Sequence, residues 1–252
     1  MVEARGAGAG RSTVAGVVVA VPAHDEAETL ADALAGVRRA AAHRELAQVP
    51  VVVAVAADSC RDGTADLARS LGAEVVEVAV RSAGAARAAA VRHGLHVLGL
   101  PAGEVWVATT DADSVPDPQW LAHQLRCARS GWDAVAGTVV VGSWPAGYPA
   151  AAILRYAEHY ARGLGPDGGH GHVHGANLGV RADAYLRCGG FPALVTGEDR
   201  ALVTALQAAG VPLLRSRAHP VVTSARTDAR APGGLGALLC RLQQPDGVEP
   251  AA

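Results

Sequence analysis

The chain has 252 residues, of which 50% are hydrophobic and only 4% aromatic, and its formal net charge is -2. This length suits one large α/β domain, and a near-neutral chain without a long basic run argues against nucleic acid as a partner. The sequence contains no lysine, which excludes chemistry that requires one, such as Schiff-base formation.

The cysteines and the apolar runs indicate the compartment. The four cysteines are widely separated and none forms a C-x-x-C pair, which argues against a zinc site and against a secreted disulfide framework. The first 12 residues lack the apolar segment of a signal peptide. The apolar runs are shorter than the roughly 20 residues that a membrane-spanning helix needs. We therefore expect a cytoplasmic protein with no transmembrane segment, and peripheral membrane contact stays open.

The first half of the chain alternates strand and helix patterns. Strands are predicted over residues 17–21, 51–57, 74–80 and 105–110, and helices over 25–41, 64–71, 84–98 and 118–130. This alternation is typical of βαβ units and a mainly parallel sheet. Such sheets bind ligands beyond the carboxyl ends of their strands, so the residues that follow each strand are the first candidates for a site.

The second half is less regular. Extended segments are predicted at 134–141, 177–180 and 221–224, and helices at 150–162, 198–209 and 235–242. Between them, residues 163–175 include six glycines and three histidines, a composition that predicts a long loop of functional or disordered character. Such a loop is more often a mobile lid than a metal site, so His170, His172 and His174 are left out of the predicted metal site, and His174 is the one expected to face the cleft. The role of the loop stays open.

Acidic residues follow three of the predicted strands. They are Asp25 and Glu26, Asp58 and Asp62, and Asp111 and Asp113. Like charges in one cleft disfavour ionisation, and a hard divalent cation such as Mg²⁺ or Mn²⁺ relieves this with carboxylate ligands. In extended chain, Asp111 and Asp113 point to the same side, although turn capping is an alternative use of such a pair.

Several segments, in chain order, resemble the motifs of family 2 glycosyltransferases. They are Pro22-Ala23-His24-Asp25-Glu26, Asp58 with Asp62-Gly63-Thr64, Arg87, Asp111-Ala112-Asp113 followed by Pro118-Gln119-Trp120-Leu121, Gly175 to Arg181, Gly189-Gly190-Phe191, and Gly197-Glu198-Asp199. The resemblance covers about residues 15–230. It implies a single GT-A domain of the α/β class, with a mainly parallel sheet flanked by helices, that uses a nucleotide sugar.

The resemblance also implies a role for each matching residue. Asp113, supported by Asp111, would hold Mn²⁺ or Mg²⁺, and Asp199 would be the general base. The residues implied to bind the nucleotide sugar or the acceptor are Pro22, Ala23, Asp58, Arg87, Asp111, Asn177 and Glu198. The aromatic acceptor motif that the family carries near its C-terminus is not evident here, which leaves the acceptor undefined.

The expected domain spans residues 14–244. Its Rossmann-like, nucleotide-sugar-binding half covers 14–113, its acceptor and catalytic half covers 114–244, and disordered tails are expected at 1–13 and 245–252. We expect an inverting transfer from a UDP- or GDP-linked sugar to an acceptor hydroxyl. Two alternatives stay open: a retaining GT-A enzyme similar to glucosyl-3-phosphoglycerate synthases, with His219 as its late metal ligand, and a non-catalytic nucleotide-binding partner subunit.

Overall fold

A computed structural model describes residues 12–166, 169–227 and 233–244. The first half contains β1 (Gly16–Ala23), α1 (Leu30–Ala41), β2 (Val51–Asp58), α2 (Thr64–Ser70), β3 (Glu74–Val78), α3 (Ala83–Leu98) and β4 (Val105–Thr109). The second half contains β5 (Ser114–Val115), α4 (Trp120–Arg129), β6 (Ala134–Val141), α5 (Ala150–Arg162), β7 (Leu178–Arg181), α6 (Ala182–Arg187), α7 (Glu198–Ala208), β8 (Leu213–Thr223) and α8 (Leu235–Gln243). Most of the predicted tails, at 1–11 and 245–252, lies outside the described residues.

The strands of the described residues form one sheet in the order β3-β2-β1-β4-β7-β6-β8-β5. Strands β1 to β4 pair in parallel, and so do β6 and β8. β7 runs antiparallel to both of its neighbours, and β5 is antiparallel to β8. The predicted α/β class with a mainly parallel sheet is confirmed, and the antiparallel β7 joins the two parallel groups into one sheet.

Helices cover both faces of the sheet, which explains why its central strands are continuous apolar runs. Residues Val17 to Val21 of β1 are fully buried. On one face they pack with α1 and α4 through Leu34 and Trp120. On the other face they pack with the small residues of α3. Gly94 lies so close to Val18 that a Cβ there would overlap the valine, so the alanine- and glycine-rich α3 lies close against the sheet.

Helix α1 begins five residues later than predicted. Residues 25–29 form a turn instead, in which Asp25 has a positive φ of 51°. The backbone N–H of Glu26 donates to Thr64 Oγ1 at 2.8 Å, and that of Ala27 donates to Asp62 Oδ2 at 2.9 Å. These bonds tie the loop after β1 to the loop after β2, and the positive φ of Asp25 places that residue outside the right-handed helical region.

The last strand is longer than predicted, since β8 covers residues 213–223 and not only 221–224. Its pairing with β6 shifts between Gly137 and Val139, and His219 within it has a positive φ of 53°. The strand is irregular next to Pro220, and for this reason the sequence pattern predicted only its last part. The short helix α6 was not predicted either.

We predict that Gly179→Ala destabilises the protein by about 2–3 kcal/mol through overpacking. A Cβ at Gly179 would overlap the Gln124 amide and the Trp106 indole nitrogen, which share a buried hydrogen bond of 2.7 Å. Urea unfolding of the purified variant measures the change. Gly103→Ala is the matched control, because nothing lies within 4 Å of a Cβ there. Equal stability of the two variants would contradict the packing described.

Candidate active site

A cleft of about 920 Å³ opens at the carboxyl ends of β1, β2 and β4. The predicted site residues that line it are Pro22, Ala23, Asp58, Arg87, Asp111, Asp113, Glu198 and Asp199. The first six come from the half of the chain before β5 and the last two from the start of α7. The fold therefore brings together the acidic clusters that the sequence places after separate strands.

Arg87 lies at the centre of this cleft. Its guanidinium donates to Asp111 Oδ1 at 2.6 Å and also contacts Glu198 Oε1. Only 4% of its side chain is exposed, and it also lies over the Phe191 ring, 5.4 Å from the ring centroid. Burial alone would lower the pKa of Arg87, but the nearby carboxylates raise it above its ordinary value. Arg87 is thus a buried link between α3, the end of β4 and α7.

A second arginine, Arg226, pairs with acidic residues on the opposite side of the cleft. Its guanidinium binds both carboxylate oxygens of Glu26, at 2.6 and 2.7 Å, and lies 3.1 Å from Asp113 Oδ2. Sequence reasoning missed this residue. Only the sheet topology reveals it, because β8 pairs with β5 and thereby places the residues after Thr223 beside Asp113.

The carboxylates fit a divalent cation. Glu26, Asp111, Asp113 and Glu198 together carry four formal negative charges against the two positive charges of Arg87 and Arg226. Burial raises the pKa of Asp113 to about 6 although Arg226 opposes the shift, as is typical of an acid that lacks a sufficient cationic partner. The described residues contain no group of three or more acidic, histidine or cysteine side chains that could hold a metal. Mg²⁺ in proteins usually binds to one or two carboxylates, and substrate phosphates and water complete its coordination.

Asp58 organises the loop after β3. Its Oδ1 accepts hydrogen bonds from the backbone N–H of Val80 and Arg81 at 2.9 and 3.0 Å, and its Oδ2 accepts one from Ser82 at 3.1 Å. Arg81 has a positive φ of 46°, and these bonds hold it there. Asp58 therefore shapes the wall of the cleft.

Asp199 stands in the first turn of α7, after Gly197 with its positive φ of 80°. Its Oδ2 accepts a hydrogen bond from the backbone N–H of Gly175 at 2.9 Å. Gly175 in turn lies against the Arg87 guanidinium, 2.7 Å from where a Cβ would stand. Burial, together with the negative charge of Asp199, raises the pKa of Glu198 although Arg87 opposes the shift.

The histidines of the 163–175 loop stack on an aromatic residue of α5. His172 lies parallel to Tyr160 with 4.0 Å between ring centroids, and His174 lies 5.9 Å from the same ring. His170 is buried and its Nε2 contacts the backbone oxygens of Ala136 and Ser216. Burial lowers the pKa of His174 to about 4, and the neighbouring histidines add to the shift. His172 and His174 line the cleft.

Asn177 is not among the residues that line the cleft, contrary to the expectation that it contacts the donor sugar or the acceptor. Its side chain is buried, and its Oδ1 accepts a hydrogen bond from Trp120 Nε1 at 2.9 Å. Its Nδ2 donates to Thr138 O at 2.8 Å. The amide thus ties α4 and β6 to the segment before β7, and this internal bonding gives it a structural position.

His219 also lies outside the cleft lining. Its Nδ1 is 3.0 Å from Asp117 Oδ1, and its ring is 5.2 Å from that of His123. Because Asp111 and Asp113 line the cleft and His219 does not, the structure gives no support to His219 as a third ligand of the same metal.

The family described as Glycosyl transferase family 2 matches residues 18–187, more than half of the chain. The mannosyltransferase PcManGT from Pyrobaculum calidifontis, in complex with GDP-Man and Mn²⁺, aligns with a TM-score of 0.61 at 20% identity, over 86% of this chain and 58% of its own. TarS 1-349 of S. aureus, in complex with UDP-GlcNAc, aligns with a TM-score of 0.58 at 13% identity, over 90% and 65%.

A third solved structure is glucosyl-3-phosphoglycerate synthase from Mycobacterium tuberculosis with Mn²⁺, UDP and glucosyl-3-phosphoglycerate. It aligns with a TM-score of 0.53 at 18% identity, over 93% of this chain and 78% of its own. No curated protein sequence matches the chain. The chain spans less than two thirds of the mannosyltransferase and of TarS. These likenesses confirm the predicted GT-A fold.

One further finding concerns membranes. Among residues 12–166, 169–227 and 233–244, no helix has the length and apolar character needed to cross a bilayer.

We predict that Asn177→Ala acts on stability and not on ligand binding. It leaves the buried Trp120 Nε1 and Thr138 O without their partner, which should lower the free energy of unfolding by about 2–4 kcal/mol. Gln207→Ala removes an exposed amide on α7 and should change it by less than about 0.5 kcal/mol. Chemical denaturation measures both. An unchanged stability, combined with weaker nucleotide binding, would return Asn177 to the binding site.

Proposed function

The chain belongs to glycosyl transferase family 2, and on this premise we propose that it transfers a sugar from a nucleoside-diphosphate sugar to an acceptor hydroxyl. The observation that carries the proposal is the Arg87 link, which brings Asp111 at the end of β4 and the Glu198-Asp199 pair at the start of α7 into one cleft. Donor-side and acceptor-side groups are thus close enough to act on one substrate pair.

The nucleotide would bind on the side of the cleft formed by β1 and β2. Pro22 and Ala23 stand at the end of β1, and Asp58 stands at the end of β2. Asp58 Oδ2 receives one backbone hydrogen bond, so it keeps the capacity to accept another from a base or ribose. The GDP-Man and UDP-GlcNAc ligands of the mannosyltransferase and TarS structures support a GDP- or UDP-linked donor.

Asp111 and Asp113 would hold Mn²⁺ or Mg²⁺ against the diphosphate. When bound there, a divalent cation stabilises the charge that develops on the leaving nucleoside diphosphate. The Mn²⁺ in the mannosyltransferase and glucosyl-3-phosphoglycerate synthase structures supports this choice of metal. Arg87 binds Asp111 and Glu198 already, so it positions these acids and is not a free cation for a phosphate, as the sequence had suggested.

Asp199 would act as the general base. In this role its carboxylate takes the proton of the acceptor hydroxyl as that oxygen attacks the anomeric carbon of the sugar. The Gly175 N–H holds Oδ2, which fixes the direction of the side chain into the cleft. A single displacement of this kind inverts the anomeric configuration. The position of His219 outside the cleft lining favours inversion over the retaining alternative.

Binding of the donor is tested by thermal unfolding with UDP, GDP or ADP, with and without Mn²⁺. A ligand at about 100 times its Kd should stabilise the native state by about 2.7 kcal/mol. We expect UDP or GDP to stabilise the protein only with Mn²⁺, and Asp113→Ala to abolish the effect. Asp66→Ala, which removes an exposed acid outside the cleft, should preserve it. Stabilisation that persists in Asp113→Ala would exclude this metal site.

Catalysis is tested with Asp199→Asn, which keeps the shape of the side chain and removes its basicity. We expect turnover to fall by about 10²- to 10⁴-fold, while the Mn²⁺-dependent stabilisation by nucleotide stays unchanged. NMR of the released or transferred sugar reports its anomeric configuration. Wild-type protein that binds nucleotide but turns over no donor, not even by hydrolysis, would favour the non-catalytic partner subunit.

A further inference from the structure

Arg226 differs from Arg87 in its freedom to move. Its side chain is 31% exposed, against 4% for Arg87. Two hydrogen bonds join it to Glu26, while one longer contact of 3.1 Å joins it to Asp113. Its hold on Glu26 is therefore the stronger of the two, because a bidentate guanidinium–carboxylate pair adds geometric fit to charge.

Arg226 borders two cavities. Arg226 and Asp113 line the main cleft and also a second cavity of about 350 Å³, whose other walls include Trp144 and Val222. Together with Thr223 and Ser224, which also line both, the pair lies between the two cavities. Arg87 has no such space, because the backbone at Gly175 lies against its guanidinium.

The backbone around the pair is fixed. Ser114 Oγ donates to Thr223 Oγ1 at 2.9 Å, and β5 pairs with β8 at these same two residues. The backbone N–H of Arg226 donates to Ser224 Oγ at 3.1 Å. Asp113 and Arg226 are therefore held at neighbouring positions, and a change in their contact requires movement of side chains and not of the strands.

We propose that Arg226 is a built-in competitor for the metal ligand Asp113, and that Glu26 retains its guanidinium when Asp113 is released to the divalent cation. This rests on the function proposed above, since it assumes that Asp113 ligates that cation. Arg226 gives up one contact and keeps two, so the exchange is a small displacement towards Glu26. A second cation close to a bound divalent ion is unfavourable, which gives the guanidinium a reason to move.

The exchange has a signature in metal binding without nucleotide. Removing Arg226 removes the competitor, so Mn²⁺ should bind more tightly. Removing the charge of Glu26 strengthens the hold of Arg226 on Asp113, because one of the two carboxylates that it contacts is lost. Mn²⁺ should then bind more weakly. Because Glu26 acts mainly through Arg226, most of its effect should disappear once Arg226 is gone, which leaves only the direct effect of its charge on Asp113. If each variant acted only through its net charge, the changes in Mn²⁺ binding free energy of the two single variants would add in the double variant.

The test is calorimetric titration of the full chain with Mn²⁺ alone at a fixed pH near 7.5. We expect Arg226→Gln to lower the Kd on the order of tenfold, as for the loss of one charge-assisted contact, and Glu26→Gln to raise it. In Arg226→Gln, adding Glu26→Gln should change the Kd by less than about twofold. Arg61→Gln, which removes an arginine from the cleft lining, reports the general effect of charge and should be much smaller than Arg226→Gln.

Three results would overturn the inference: an unchanged or weaker Mn²⁺ affinity in Arg226→Gln, additive effects in the double variant, or no binding of Mn²⁺ alone by either wild type or Arg226→Gln. Arg226→Lys keeps the positive charge but cannot form the bidentate guanidinium–carboxylate pair, so its Kd for Mn²⁺ should fall between those of the wild type and Arg226→Gln. This variant replaces Arg226→Gln in the test if the glutamine variant folds poorly. Mn²⁺-dependent nucleotide binding by the wild type is measured in parallel. If that binding is present while Arg226→Gln is inert, the competition fails and the proposed function stands.

Discussion

The buried guanidinium of Arg87 is the interaction on which the cleft depends. It joins Asp111, at the end of a strand of the first half, to Glu198, at the start of a helix of the second half. A buried charge that loses a partner is costly, so both acids have to be in place for the chain to reach this structure. The same guanidinium packs against Phe191 and Gly175, and the backbone N–H of Gly175 donates to the proposed base Asp199.

The charged side chains of the cleft determine which ligand it favours. Each of the two arginines contacts two carboxylates, so this group of six residues has an excess of negative charge that suits one divalent cation. The two arginines have different roles. Arg87 is buried and joins the end of β4 to the start of α7, whereas Arg226 is partly exposed and borders a second cavity. In our account, only the second changes its contacts when the site is loaded.

Many of the strands and of the acidic residues in the cleft could be predicted from local patterns in the sequence. Buried strands read as apolar runs, and the acids that follow them converge because parallel strands end at one edge of the sheet. Other features depend on contacts between distant segments. Asn177 stands within a recognisable motif, yet its partners on α4 and β6 turn its side chain into the core. The Arg226 pairing with Glu26 spans 200 positions of sequence, and the turn before α1 is bonded to the loop after β2.

The most direct test of this account is a double-mutant cycle between Arg87 and Glu198, followed by chemical denaturation. Arg87→Met leaves Glu198 buried without its cation and should cost about 3–5 kcal/mol. Adding Glu198→Gln to this variant should restore part of the loss, with a coupling energy above about 1 kcal/mol. Strictly additive effects, or an Arg87→Met variant as stable as the wild type, would show that the two halves of the cleft are not held together by this arginine.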